Sequence, residues 1–248
     1  MRKVLVWSIR VLGALFLLAF LFVAAVAGRV YWLASDGLPD HRLVDGASSW
    51  NGCLRTEDRQ VEFVPLSAMP ANAVNAFLAA EEPDFLTRDA YLTWRFWGPE
   101  DRRTSPISAA YVHRLLFCLN NPSHDLTIED IKEYLLHYRI ERDLPRRSIL
   151  EVVLNTVYVG KGAFGMPAAA LAYFQKPLTE LSTGELAFLA GWAAAKHKWK
   201  PEGAAVNEVA LLVRNATLDR MVGMGALTAE QAAAAKLEPL NLQVKLEL

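Results

Sequence analysis

Two adjacent carboxylates, Glu81 and Glu82, close an apolar stretch rich in Ala, Leu and Phe and are followed by Pro83, Asp84 and Phe85. A helix over Ala71–Glu82 would put both acids at its negative end, a placement that works against the helix macrodipole and therefore points to function. Glu133 lies on a second apolar-periodic segment, after the capping signal Thr127-x-x-Asp130. Two carboxyl groups converging on a cleft suit sugar transfer, one moving a proton and the other supporting developing charge. The plainer alternative is that Glu133 is a solvated helix residue paired with Lys132 or His137.

A second pattern, Gly160-Lys-Gly162-Ala-Phe-Gly165, fits G-x-G-x-x-G after the β-branched run Val152–Val159, with Glu185 twenty residues beyond its last glycine. That dinucleotide fingerprint needs a βαβ unit. The rest of the chain is helix-patterned, so the alternative is a glycine-rich turn whose glycines supply positive φ or close approach. Five histidines without H-E-x-x-H or an i, i+4 pair, and two cysteines, argue against a protein-ligated transition metal. Cys53 and Cys118 are either a disulfide or two separate thiols.

The elements that must position these groups read as mainly α. Ser105-Pro106 offers an N-cap with proline at the first helical position. Ser182-x-x-Glu185 and Thr228-x-x-Gln231 are capping boxes. Further helices are expected over 147–155, 166–175 and 207–224, a short aromatic one over 89–97, and strands over 60–66 and 240–248. The stretch 35–45, with Gly, Pro, Asp and Ser, reads as a linker.

Of 248 residues, 53% are apolar and 21% charged, a globular composition, and a net charge of -1 excludes the basic footprint of most nucleic-acid binders. Val11–Gly28 runs eighteen residues without a charge, close to the length that spans a ~30 Å hydrocarbon layer. Arg2, Lys3 and Arg10 precede it. The positive-inside rule then puts the N-terminus in the cytoplasm and the body outside. All 27 acidic residues follow Val30. A retained anchor is favoured by the length of the run, although Ala25-Val26-Ala27 also resembles a signal-peptide cleavage site. Two segments, Tyr91–Trp97 and Trp192–Lys200 with Lys196, His197 and Lys198, suit either a headgroup-facing surface or core aromatics beside solvated lysines. Expected boundaries are an anchor over 1–33, a linker over 34–60, a catalytic-type domain over 61–235 and a tail over 236–248.

Five ordered segments carry a resemblance. Val64–Ser67 with Ala71–Phe85 resembles the lead-in and first motif of the peptidoglycan transglycosylases (glycosyltransferase family 51), the monofunctional polymerases and the glycosyltransferase domain of penicillin-binding proteins. Ser105-Pro-Ile-Ser108 is similar to the second motif, Ile131-Lys-Glu133 to the end of the third, Ile149–Gly160 to the fourth, and Gly162–Phe174 with Leu181–Gly191 to the fifth. The resemblance implies a lysozyme-like, mainly α fold with small β elements behind one transmembrane helix. It implies a protein of the bacterial inner (cytoplasmic) membrane, with its body in the periplasm, that polymerises lipid II into glycan strands. Glu81 would be general base on the acceptor hydroxyl. Glu133 would support the departing lipid pyrophosphate, with Mg or Mn as a divalent cation and cell-wall synthesis proteins as partners.

Ser105, Ser108, Arg88, His113, Glu151 and Asn155 would bind substrate. Some positions depart from the family pattern. Its histidine and glycine after the first motif are Arg88 and Ala90 here, its glycine pair is Arg103-Thr104, and its glutamine pair is Ala109-Ala110. A lysine becomes His113, and the Arg-Lys pair opening the third motif becomes Glu129-Asp130. Arg88, His113, Arg102, Arg103, Arg139 and Arg142 are the basic residues left to meet phosphates. The departures suit a second reading, a catalytically silent scaffold or regulator of envelope synthesis; a lysozyme-like hydrolase is a third.

Overall fold

The computed structural model describes residues 2–35, 63–88, 105–118, 128–195 and 206–243. Among them are nine α-helices: α1 Arg2–Ser35, α2 Ala71–Glu81, α3 Pro106–Cys118, α4 Ile128–Asp143, α5 Arg146–Thr156, α6 Met166–Phe174, α7 Thr183–Ala195, α8 Val206–Gly223 and α9 Ala229–Leu237. A two-stranded antiparallel sheet, β1 Tyr158–Gly160 with β2 Ala163–Phe164, lies between α5 and α6. The expected mainly α class with small β pieces is therefore what the chain adopts.

The chain divides into two compact units, Met1–Pro39 with Pro122–Leu136, and Asp40–Asn121 with His137–Leu248. In the smaller unit α1 is the one described helix long and apolar enough to cross a membrane, over Arg10–Trp32. Its large apolar side chains are exposed, Phe16 by 77%. The Arg29 guanidinium stands 4.9 Å from the Trp32 ring centroid, a cation–π pair one turn from the helix end.

The larger unit is built around α7. Its residues 184–193 are all buried, which its sequence dictates because it is apolar on every face. α2, α6, α8, α9 and β1 pack against it. Gly191 permits the approach of α8, since a Cβ there would lie 2.3 Å from Thr217 Oγ1 and 3.1 Å from the Val213 carbonyl. Phe188 lies at the centre of an aromatic group with Tyr173, Phe174 and Trp192 at centroid distances of 5.8, 6.0 and 5.5 Å.

Side-chain caps mark the starts of α3, α7 and α9. Thr228 and Gln231 make the reciprocal capping box of α9, and Ser182 and Glu185 do the same for α7. Two expectations need correction. Of the strand expected over 60–66, residues 63–65 pair with no strand among the described residues and lead into a 3-10 turn at Leu66–Ala68, Pro65 lacking the N–H a ladder needs, and 60–62 lie outside the described residues. The tail 240–243 is irregular, tied instead by the Gln243 N–H to the Tyr173 carbonyl at 2.9 Å. Of the two readings open for Trp192, the core one holds, since it is only 8% exposed. The dinucleotide fingerprint is a glycine turn, with φ of +100° at Gly160, +70° at Gly162 and +85° at Gly165. The aromatic segment 89–97, the basic cluster 196–200 and Cys53 with the Cys118 side chain lie outside what the described residues cover.

Candidate active site

α2 stops at Glu81 for a local reason. Glu82 leaves the helical region at φ -158° while its N–H still bonds the Leu78 carbonyl at 2.8 Å, and Pro83 cannot continue the ladder. The Arg220 guanidinium, from α8, donates to the Ala80 carbonyl at 3.2 Å. A cation at this negative helix end offsets the unfavourable siting of two acids.

The two glutamates then have different fates. Glu81, the last residue of α2, is half-buried. Glu82 turns inward and is 5% exposed. Its Oε1 accepts from Arg88 Nε at 2.5 Å and its Oε2 from Ser105 Oγ at 2.5 Å. With both oxygens engaged by buried donors, Glu82 is held as part of the fold, and Glu81 is the half-buried acid beside it.

Arg88 continues the cluster. Its Nη1 and Nη2 donate to Glu141 Oε2 and Oε1 at 3.1 and 2.8 Å, the parallel fork that suits guanidinium to carboxylate. Ser108 Oγ donates to the same Glu141 Oε1 at 2.5 Å. Ser105 Oγ also accepts from the Ser108 N–H at 3.1 Å, so the N-cap expected at α3 is present and is at the same time tied to Glu82. Arg146, from α5, donates to the Phe85 carbonyl at 2.9 Å and to the Arg88 carbonyl. The Phe85 ring is fully buried, with the Arg88 and Arg146 guanidinium carbons 5.4 and 6.0 Å from its centroid.

The electrostatics of this cluster are nearly balanced. Burial by itself would lower the Arg88 pKa, but the Glu141 hydrogen bonds and the Glu82 charge outweigh it and hold the guanidinium above its ordinary value. Burial would raise Glu141, and the Arg88 and Ser108 hydrogen bonds outweigh that and hold its carboxyl below its ordinary value.

Glu151 and Asn155 form a second group, one turn apart on the same face of α5. Glu151 Oε2 accepts from the Leu66 N–H at 2.6 Å. Asn155 Oδ1 accepts from the Val64 N–H, and its Nδ2 donates to the Val64 and Glu151 carbonyls, each at 2.8 Å. They pin the segment leading into α2. Gly165 closes over this point, since a Cβ there would lie 2.3 Å from the Asn155 carbonyl oxygen.

The structure thus brings Arg88, Ser105 and Ser108 together with Glu82 and Glu141, and Glu151 together with Asn155. His113 is exposed on α3, and Glu133 is half-buried in the first half of α4, within the smaller unit. Of the basic residues available to meet phosphates, Arg88 is committed to Glu82 and Glu141. Arg142 pairs with Asp143 at 2.6 Å and stands 5.3 Å from the Tyr138 centroid. Arg102 and Arg103 lie outside the described residues. Glu141, Arg146 and Arg220 escaped sequence reasoning. For Glu141, 53 residues from Arg88, no local pattern marks it. The i, i+4 spacing of Glu151 and Asn155 does mark a shared face.

Residues 101–222 match the family model of the transglycosylase domain. Penicillin-binding protein 1A of Aquifex aeolicus is 34% identical over 73% of this chain and 25% of its own length. Penicillin-binding protein 1A of Rickettsia bellii is 29% identical over 98% of this chain and 32% of its own length. The crystal structure of penicillin-binding protein 1A from Haemophilus influenzae is 22% identical with a TM-score of 0.44, over 75% of this chain and 19% of that one. The chain therefore spans between a quarter and a third of the length of these two curated relatives. With the second to fifth ordered motifs lying inside the family-model match and the first preceding it, the chain belongs to the transglycosylases of glycosyltransferase family 51.

Proposed function

We propose that this protein is a peptidoglycan glycosyltransferase that extends glycan strands from lipid II, held at the bacterial inner membrane by α1 with its body on the periplasmic side. The observation that supports the reading is the held end of α2: Arg88 and Ser105 lock Glu82, and Glu81, half-buried beside it, stands where the resemblance puts the general base. Glu81 takes the proton of the acceptor hydroxyl as that oxygen attacks the anomeric carbon of the donor sugar. The bond to the lipid pyrophosphate breaks, and Glu133 belongs to the apparatus that meets the leaving group. Stabilisation of that group must grow toward the transition state to raise the rate.

For the divalent cation implied by the resemblance, no group of three His, Cys, Asp or Glu side chains among the described residues is arranged as a ligand set. No step here runs through a metal. One observation favours the second reading, a silent scaffold: Arg88 and Arg142, two of the basic residues available for phosphate, are spent on carboxylates of the chain itself.

The test is polymerisation of labelled lipid II by the full-length, detergent-purified protein with magnesium or manganese, beside Glu81→Gln. Glycan strands from the wild type and none from the variant support the polymerase. No strands from the folded wild type, where a control polymerase makes them, refute it in favour of the scaffold.

A further inference from the structure

Five donors in a fixed plane let arginine join two carboxylates at once with a parallel fork to one of them, a geometry that a lysine ammonium does not reproduce. Arg88 uses its Nε for Glu82 and both terminal nitrogens for Glu141. Its side chain is 8% exposed, as is that of Glu141, and that of Glu82 is 6%. Glu82 follows Glu81 directly and is the cap of the helix that carries it.

We infer that Arg88 is a positioning residue for Glu81: its fork ties Glu82 to Glu141 of α4 and so fixes where the neighbouring Glu81 carboxylate stands. The inference rests on the reading of Glu81 as general base.

The backbone supports the assignment at every step between the two residues. The Phe85 N–H bonds the Glu82 carbonyl at 3.1 Å, and the Thr87 and Arg88 N–H groups bond the Asp84 carbonyl at 3.0 and 2.8 Å. Residues 82–88 therefore form one compact turn. The Glu82–Arg88 ion pair closes it, Phe85 plugs it into the core, and Arg146 holds its last carbonyls. Ser105 and Ser108 fasten the same two carboxylates to the first turn of α3. The end of α2 is thus fixed from α3, α4 and α5 together, and Arg88 is the group common to both carboxylates. A base must reach hydrogen-bond distance of the acceptor oxygen, and a misplacement of about 1 Å can cost roughly 100-fold.

The experiment measures kcat and KM of lipid II polymerisation for full-length wild type, Arg88→Lys and Glu141→Gln, with a melting curve for each. Lys236→Ala, which breaks the exposed Lys236–Asp219 pair, is the control. Arg88→Lys keeps the charge and loses the fork. Glu141→Gln loosens one arm and leaves the Glu82 pair, so it stands in if Arg88→Lys fails to fold. Expected is a fall in kcat of about ten-fold or more with KM within about two-fold, and a wild-type control. A raised KM with unchanged kcat overturns the inference, because Arg88 would then be touching substrate. Wild-type kcat in a folded variant overturns it as well. Absence of product from the wild type is a different result: it refutes the polymerase reading, and the positioning role goes with it.

Discussion

Replacing Asn155 by alanine removes one side chain that makes three hydrogen bonds, to the Val64 N–H, the Val64 carbonyl and the Glu151 carbonyl. Asn155 is fully buried, so the alanine leaves a small void as well. At about 1 kcal/mol net for each hydrogen bond, less some recovery because water reaches half-buried Val64, the loss is about 2–3 kcal/mol. With an m-value of about 2–3 kcal/mol/M in urea, the midpoint falls by about 1 M. The assay is urea unfolding of the full-length protein in detergent, followed by tryptophan fluorescence. Asn155→Asp is the companion: it keeps an acceptor for Val64 but sets a carboxylate against two carbonyls, and it should be no more stable than the alanine variant. A midpoint for Asn155→Ala within roughly 0.2 M of wild type refutes the view that this residue pins the segment leading into α2. Unchanged stability with activity lost would make Asn155 a substrate contact instead.

Gly165→Ala is expected to lower the melting temperature sharply, at a cost above about 2 kcal/mol, since the new Cβ meets backbone at 2.3 Å and φ is +85°. Gly162→Ala, with φ +70° and no atom within 4 Å, should cost only about 1 kcal/mol, and equal shifts for the two would refute the close approach. Glu141 governs acid stability. Its pKa is lower in the folded than in the unfolded chain, so its contribution is present above the ordinary glutamate range and disappears as pH falls through the folded value. Glu141→Gln should therefore flatten the acid limb of stability against pH measured by urea unfolding, and an acid limb identical to wild type would refute the assignment.

Local chemistry made the helices legible. The capping boxes at Thr228 and Ser182 and the Ser105-Pro106 start lie where the sequence puts them, because a cap needs only residues three apart. Helix ends fall within one or two residues of expectation, with Gln175 outside α6 as a left-handed cap and Glu82 outside α2. The short strands were not legible. Alternation over 63–66 and 240–243 reads as strand, but pairing needs a partner edge, and these residues have none among the described residues. Trp192 reads equally as surface or core in one dimension, and its packing on Phe188 is decided by α7 being enclosed on all sides.

By itself the sequence determined the apolar N-terminal helix, the mainly α class and the family, since periodicity, caps and ordered motifs are all properties of neighbours along the chain. It also marked the acidic pair at the end of α2 as anomalous. Which of the two acids is spent on structure was decided only by the tertiary fold. Arg88 lies six residues from Glu82 but 53 from Glu141, and Ser105 lies 23 from Glu82. The carboxylates and their donors meet only once Ser105 and Ser108 at the start of α3, Glu141 of α4 and Arg146 of α5 have come to the end of α2. A buried charge needs its partners in the same place, and only the packed helices supply that place.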